Sequence, residues 1–167
     1  MIKDILVNLS YGTSQDGVSN YALSVAGTFG AHIMGTAFYP AVVGGVDLSA
    51  NFIRAQQAEA RKDAESVATA FDEATRHAGV SAETRRIEAD TGDVPTRFAH
   101  IARRFDLSVI GQFERDRDHR TTNVVIEAAL FESGRPVLIV PFIQKDRLKL
   151  DHVLVCWDGS RAATRAI

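Results

Sequence analysis

The most unusual stretch of this sequence is Glu114-Arg115-Asp116-Arg117-Asp118-His119-Arg120-Thr121-Thr122. Arg115, Arg117 and Arg120 could clamp an anion, with Thr121 and Thr122 supplying hydroxyl donors where a helix begins. The arginines alternate with Glu114, Asp116 and Asp118, so the signed charge of the run is zero with His119 neutral. Interleaved acids weaken any phosphate site, and the simpler reading is a solvated loop whose charges pair with one another. We favour that reading. Thr122 or Asn123 then serves as the N-cap of the helix that follows.

Other reactive side chains stand apart. His100 falls between Ala99 and Ile101 on a predicted helix, a position that suits a boundary residue better than a base. His32, His77 and His152 have no cysteine or carboxylate at ligand spacing, so no metal site is readable. Ser10, Thr13 and Ser14 follow an apolar run and could meet a ligand at the carboxyl edge of a sheet, although turn formation and capping explain them more simply. Gly44-Gly45 could flank the same cleft or permit a turn. No Ser-His-Asp set, Cys-His set or carboxylate pair has a catalytic spacing, so we expect no enzyme.

Composition narrows the class further. With 167 residues the chain suffices for one domain with a sizeable core. A net charge of −2 gives no basic field to draw it to nucleic acid or a membrane surface. No apolar run is long enough to span a bilayer, and no signal peptide is visible after Met1. Cys156 has no second cysteine to pair with, which fits a reducing compartment. A cytoplasmic protein is expected.

The elements that must carry these residues alternate regularly. Residues 3–9 read as a strand ending in a polar turn, and Val18, Tyr21, Ala22, Val25, Ala26 and Phe29 recur at helical spacing up to a capping Gly30. His32–Phe38 is a second strand, and 41–51 a small Gly-rich loop. Phe52–His77 is a long helix with Ala60, Ala64, Val67, Ala68, Phe71 and Ala74 as its inner stripe, ended by Gly79. Thr84–Ala89 is an Arg-rich strand that suits a sheet edge. Asp93 is the expected N-cap of a helix with Pro95 in its first turn. Asp106–Gly111 is the fourth strand, 123–132 a helix, and Pro136–Pro141 the fifth strand. Strands that alternate with helices imply right-handed crossovers, hence an α/β fold with a doubly wound, five-stranded parallel sheet and helices on both faces.

A repeat closes the chain. Setting Ile5 on Val153 places Ser10 on Asp158, and Asp151–Ser160 again reads as an apolar strand, a polar turn and a helix start. Self-similarity at one domain length means duplication. The expected organisation is a domain over 1–142, a charged linker over 143–150, and the first strand and helix start of a second copy over 151–167.

In this order and spacing, three segments give the sequence its resemblance to the universal stress protein family: the strand-turn openings at Ile5–Ser10 and Val153–Ser160; Gly92-Asp93-Val94-Pro95 through Asp106–Gly111; and Glu127-Ala128-Ala129-Leu130 followed by Gly134–Pro141. The resemblance implies the strand order 3-2-1-4-5, a stress-response role without catalysis, and a homodimer formed through the fifth strands, here Pro136–Pro141. It also implies where a nucleotide would sit. ATP-binding members carry Gly-x-x-Gly after the fourth strand and Gly-Ser or Gly-Thr at the next helix. This chain keeps the first glycine as Gly111 but has Glu114, Asn123 and Val124 at the other positions. Ser10 replaces an aspartate at the end of the first strand.

The expectation is a binding and dimerisation module with a degenerate nucleotide site and no cofactor. The alternative is an ATP or AMP binder with an altered phosphate loop, using Ser10, Gly111, Arg117, Arg120, Thr122 and Asn123. A scaffold for a partner domain is a third reading. Asp158-Gly159-Ser160 matches the family's first-strand signature better than Ser10 does, so a complete second copy is where an intact site is expected.

Overall fold

The structure is a computed structural model and describes residues 1–9, 15–41, 50–112, 120–145 and 147–166. Five strands and four main helices alternate: β1 (Asp4–Leu9), α1 (Gln15–Phe29), β2 (His32–Pro40), α2 (Ala50–Ala78), β3 (Ala82–Ala89), α3 (Val94–Ala102), β4 (Leu107–Gly111), α4 (Arg120–Glu132) and β5 (Val137–Val140). A short α5 (Arg161–Ala166) follows. The strands form one parallel sheet in the order β3-β2-β1-β4-β5, as expected.

That order divides the helices between two faces. Strand side chains alternate between faces. Ile5, Val7 and Leu9 of β1 join Ala22, Val25 and Ala26 of α1 and Ala64, Val67 and Phe71 of α2 in one core. Leu6 of β1, Met34 and Phe38 of β2 and Ile110 of β4 join Phe98 and Ala102 of α3 and Val125 and Ala129 of α4 in the other. Phe38 and Phe98 meet edge to face there, with ring centroids 6.5 Å apart.

The helix ends follow local chemistry. Gly30 and Gly79 adopt positive φ (62° and 66°), and the residues after them donate back across the last turn, Ala31 N–H to the Ala26 carbonyl and Val80 N–H to the Thr75 carbonyl. Two capping expectations change. Asp93 occupies the N-cap of α3 but its carboxylate makes no capping bond; its own N–H donates instead to the Asp90 carbonyl at 2.8 Å. Helix α4 begins at Arg120, so Thr122 and Asn123 stand inside the helix rather than capping it.

The two sheet edges differ. β3 is charged, and α2 covers it through Thr84 to Asp72, Arg86 to Glu65 and Gln57 to Glu88. Among the described residues β5 pairs with β4 alone, and Ile139 is partly exposed on it. Residues 152–157 carry the apolar pattern expected of a strand, yet lie outside the sheet with Val153, Leu154, Val155 and Trp157 exposed. A ladder needs a second backbone, and here none lies beside this segment among the described residues.

Candidate functional site

The chain leaves β1 towards β2 and leaves β4 towards β5, so the connections diverge between two neighbouring strands. In open α/β sheets this divergence opens a crevice outside the carboxyl ends of the strands, where ligands bind. The strand ends at that switch are Leu9 of β1 and Gly111 of β4. Asn8, one residue before Leu9, is buried, an amide in a sheet interior that is otherwise mostly apolar. Thr36 on β2 is wholly buried and donates to the Val7 carbonyl at 3.0 Å, which satisfies it within the sheet. Gln112 N–H continues the β4–β5 ladder by donating to the Val140 carbonyl at 2.7 Å.

Gly111 has a packing reason to be glycine. A Cβ placed there would lie 2.6 Å from Val18 Cγ2, in the first turn of α1. Real Cβ atoms do not come so close to carbon, so α1 settles against the end of β4 only because residue 111 has no side chain. Next to Val18, a Cβ at Gly17 would lie 3.1 Å from the Gln144 carbonyl oxygen. The first turn of α1 is therefore enclosed between β4 on one side and the chain leaving β5 on the other.

The six sequence-predicted site residues fare differently. Gly111 and Asn123 are placed, the first at the end of β4 and the second exposed on α4. Arg120 and Thr122 belong to the first turn of α4, and nothing is described of their side chains. Ser10 and Arg117 lie outside the described residues, as do Thr13, Ser14, Gly44, Gly45, Glu114 and Arg115. Val124 is exposed on α4.

The histidines face other partners. His100 is exposed on α3. His32 Nδ1 meets Ser81 Oγ at 2.8 Å at the opposite end of the sheet from the crevice. His77 Nδ1 meets the Glu73 carbonyl. Among the described residues no group of three or more His, Cys, Asp or Glu gathers as a metal site, and no helix is long and apolar enough to cross a membrane.

Two carboxylates have depressed pKa values. Asp106 Oδ2 accepts the backbone N–H of Lys3 (2.8 Å) and Asp4 (3.2 Å), and these bonds hold its pKa below the ordinary value against the opposing effect of desolvation. Arg135 and the N-terminus lower it further. This clamp fixes the start of β1 beside β4, and the sequence does not reveal it because its partners are backbone amides 103 and 102 residues earlier in the chain. Asp158 accepts the backbone N–H of Ser160 at 2.8 Å, which lowers its pKa, while Ser160 Oγ accepts from Ala163 N–H and caps α5. Asp158 thus shapes a turn.

The topology defines a doubly wound α/β fold whose strand order switches between β1 and β4. No family model and no curated protein matches the sequence. Solved structures do. A protein of the universal stress protein family from Burkholderia pseudomallei superimposes with a TM-score of 0.66 at 20% identity, covering 84% of this chain and 96% of that one. Universal stress protein UspA from Lactobacillus plantarum gives 0.65 at 12%, covering 83% and 97%. A universal stress protein in complex with cAMP gives 0.58 at 18%, again covering 83% and 97%. The chain has the universal stress protein fold.

Proposed function

We propose that this chain is a universal stress protein-type module that binds partners without catalysis, and whose first-domain crevice does not hold ATP in the manner of its ATP-binding relatives. The observation that carries this reading is the packing at Gly111. One glycine of the phosphate-loop pattern is kept, and α1 already requires it through Val18. The remaining signature positions, Ser10, Glu114, Asn123 and Val124, lack the glycines and hydroxyl that let backbone amides approach a polyphosphate. A carboxylate at 114 adds charge repulsion against phosphate.

A second reading has its own support, because neighbours of the same fold were solved with cAMP, AMP and dAMP. In it, Ser10, Gly111, Arg117, Arg120, Thr122 and Asn123 would contact ATP or AMP. Thermal unfolding with and without millimolar ATP, AMP or cAMP separates the two. A ligand at a hundredfold excess over its Kd raises stability by about 2.7 kcal/mol. An unmoved transition supports the degenerate crevice, and a shift of that size with ATP overturns it.

The assembly we propose is a homodimer through the β5 edge, where Ile139 on the strand and Phe131 on α4 leave apolar surface in water. The net charge offers no attraction to nucleic acid or membrane, and a single free cysteine suits the cytoplasm. Residues 151–167 are proposed as the opening of a second copy of the domain. In support, Asp158-Gly159-Ser160 turns directly into α5, with Asp158 accepting the Ser160 N–H.

A further inference from the structure

At the amino edge of the sheet, away from the crevice, α3 and α4 end beside one another, with Ala102 and Ala129 in the same core. The last carbonyls of an α-helix have no partner within it. Some are served locally here. Arg104 N–H donates to the Ile101 carbonyl at 3.1 Å, and Phe105 N–H to the Ala102 carbonyl at 3.0 Å. In α4 the buried Ser133 Oγ donates to the Ala129 carbonyl at 2.6 Å and accepts the Arg135 N–H at 3.0 Å. Two more are served across the gap. Arg103, the C-cap of α3, donates from Nε (3.2 Å) and Nη2 (3.1 Å) to the carbonyl of Glu132, the last residue of α4. Arg135, just past the end of α4, donates from Nε to the Arg103 carbonyl at 3.1 Å.

Two features set these bonds apart from ordinary surface contacts. Neither guanidinium ion-pairs with a carboxylate among the described residues, and Arg135 acts on Asp106 only at longer range. Both are committed to carbonyls at the negative ends of helix dipoles, where a cation is favoured. The bonds also close on themselves. Arg103 gives its side chain to α4 and its carbonyl to Arg135, so backbone 132–135 and the crossing bonds form a ring. Opening one side frees the segment that positions the other, which then closes at a lower effective concentration. The same segment leads into β5, where the Pro136 carbonyl accepts the Ser108 N–H at 3.1 Å.

We infer that Arg103 and Arg135 form a reciprocal clasp through which the ends of α3 and α4 open as one cooperative unit. Neither arginine lies at the strand-order switch, so this goes beyond the binding reading above and holds whether or not a nucleotide enters the crevice.

The experiment is a double-mutant cycle on the full chain, with Arg103→Ala, Arg135→Ala and the pair compared by urea unfolding. Arg104→Ala serves as the reference, because this exposed neighbour makes no side-chain hydrogen bond among the described residues. Each clasp variant should lower the folding constant by about tenfold, the order of one hydrogen bond from a charged donor. Independent caps would multiply to about a hundredfold in the double variant, whereas the clasp leaves it near tenfold, because the first change already frees both bonds. Repulsion between the two arginines would push the other way, beyond a hundredfold. Amide exchange gives a second reading. Arg103→Ala should lower the protection factors of Arg104 and Phe105 at the end of α3 together with those in the last turn of α4. A double loss equal to or larger than the product of the single losses, an Arg104→Ala loss as large as either, or a response confined to α4 overturns the clasp.

Discussion

Replacing Gly111 by alanine asks whether this glycine is kept for a helix or for a ligand. The added Cβ would lie 2.6 Å from Val18 Cγ2, about 1 Å inside the ordinary carbon–carbon contact of 3.5–4.0 Å. Val18 has no easy escape. It is β-branched and helical, and one χ1 rotamer dominates for such a residue. The helix must therefore shift, and overpacking of this kind costs about 1–3 kcal/mol. Gly111 is not at positive φ, so alanine also reduces unfolded-chain entropy and returns about 0.4–1 kcal/mol. The net expectation is a loss of about 1–2 kcal/mol, or about 2–8 °C in Tm for a domain of this size. Urea and thermal unfolding of Gly111→Ala, Val18→Ala and the double variant measure it. The double variant should be more stable than the sum of the single changes requires, because the second change removes the clash made by the first. A Gly111→Ala protein as stable as the parent, or two changes that merely add, refutes the packing account and returns Gly111 to the list of ligand contacts.

Three further outcomes are expected. Asp106→Asn should destabilise the protein at neutral pH. The folded pKa of Asp106 lies below its ordinary 3.8, so its contribution is complete above that value and disappears as pH falls through the folded pKa. The parent and variant unfolding curves should therefore converge in acid, and a gap that stays constant to the lowest pH would show that charge is not what Asp106 supplies. Ser108 Oγ is fully buried and has no hydrogen-bond partner among the described residues. Ser108→Ala should raise the urea midpoint, with unchanged m, by the equivalent of about 1 kcal/mol, the order of the penalty for burying an unpaired hydroxyl; a lower midpoint would reveal a bond to this oxygen. Ile139→Lys on the β5 edge should convert a dimer to a monomer by light scattering, and a parent chain of monomer mass would end the β5 pairing proposal.

Much of the fold was legible because its signals are local. Apolar periods distinguish strand from helix, and Gly30 and Gly79 mark helix ends by a conformation other residues rarely adopt. The sheet order came with the resemblance, and the structure shows the same order. Boundaries were less legible. Thr122 and Asn123 look like caps, yet α4 starts at Arg120, and Asp93 occupies a cap position without using its side chain.

Residues 152–157 show the limit of pattern most clearly. Alternation and β-branching state which residues suit a strand, but the strand itself is a hydrogen-bonded pair, and this segment has no partner backbone beside it among the described residues. The candidate site was legible in the same partial way. The positions that differ from the phosphate-loop pattern can be read one by one, but the meaning of the retained Gly111 depends on Val18, which reaches it only after α1 has folded back over the sheet. Glycine at a phosphate loop and glycine under a packed helix are identical in sequence. A retained signature glycine therefore supports a ligand only after its packing reason has been removed from the account, and at Gly111 the packing reason alone is sufficient.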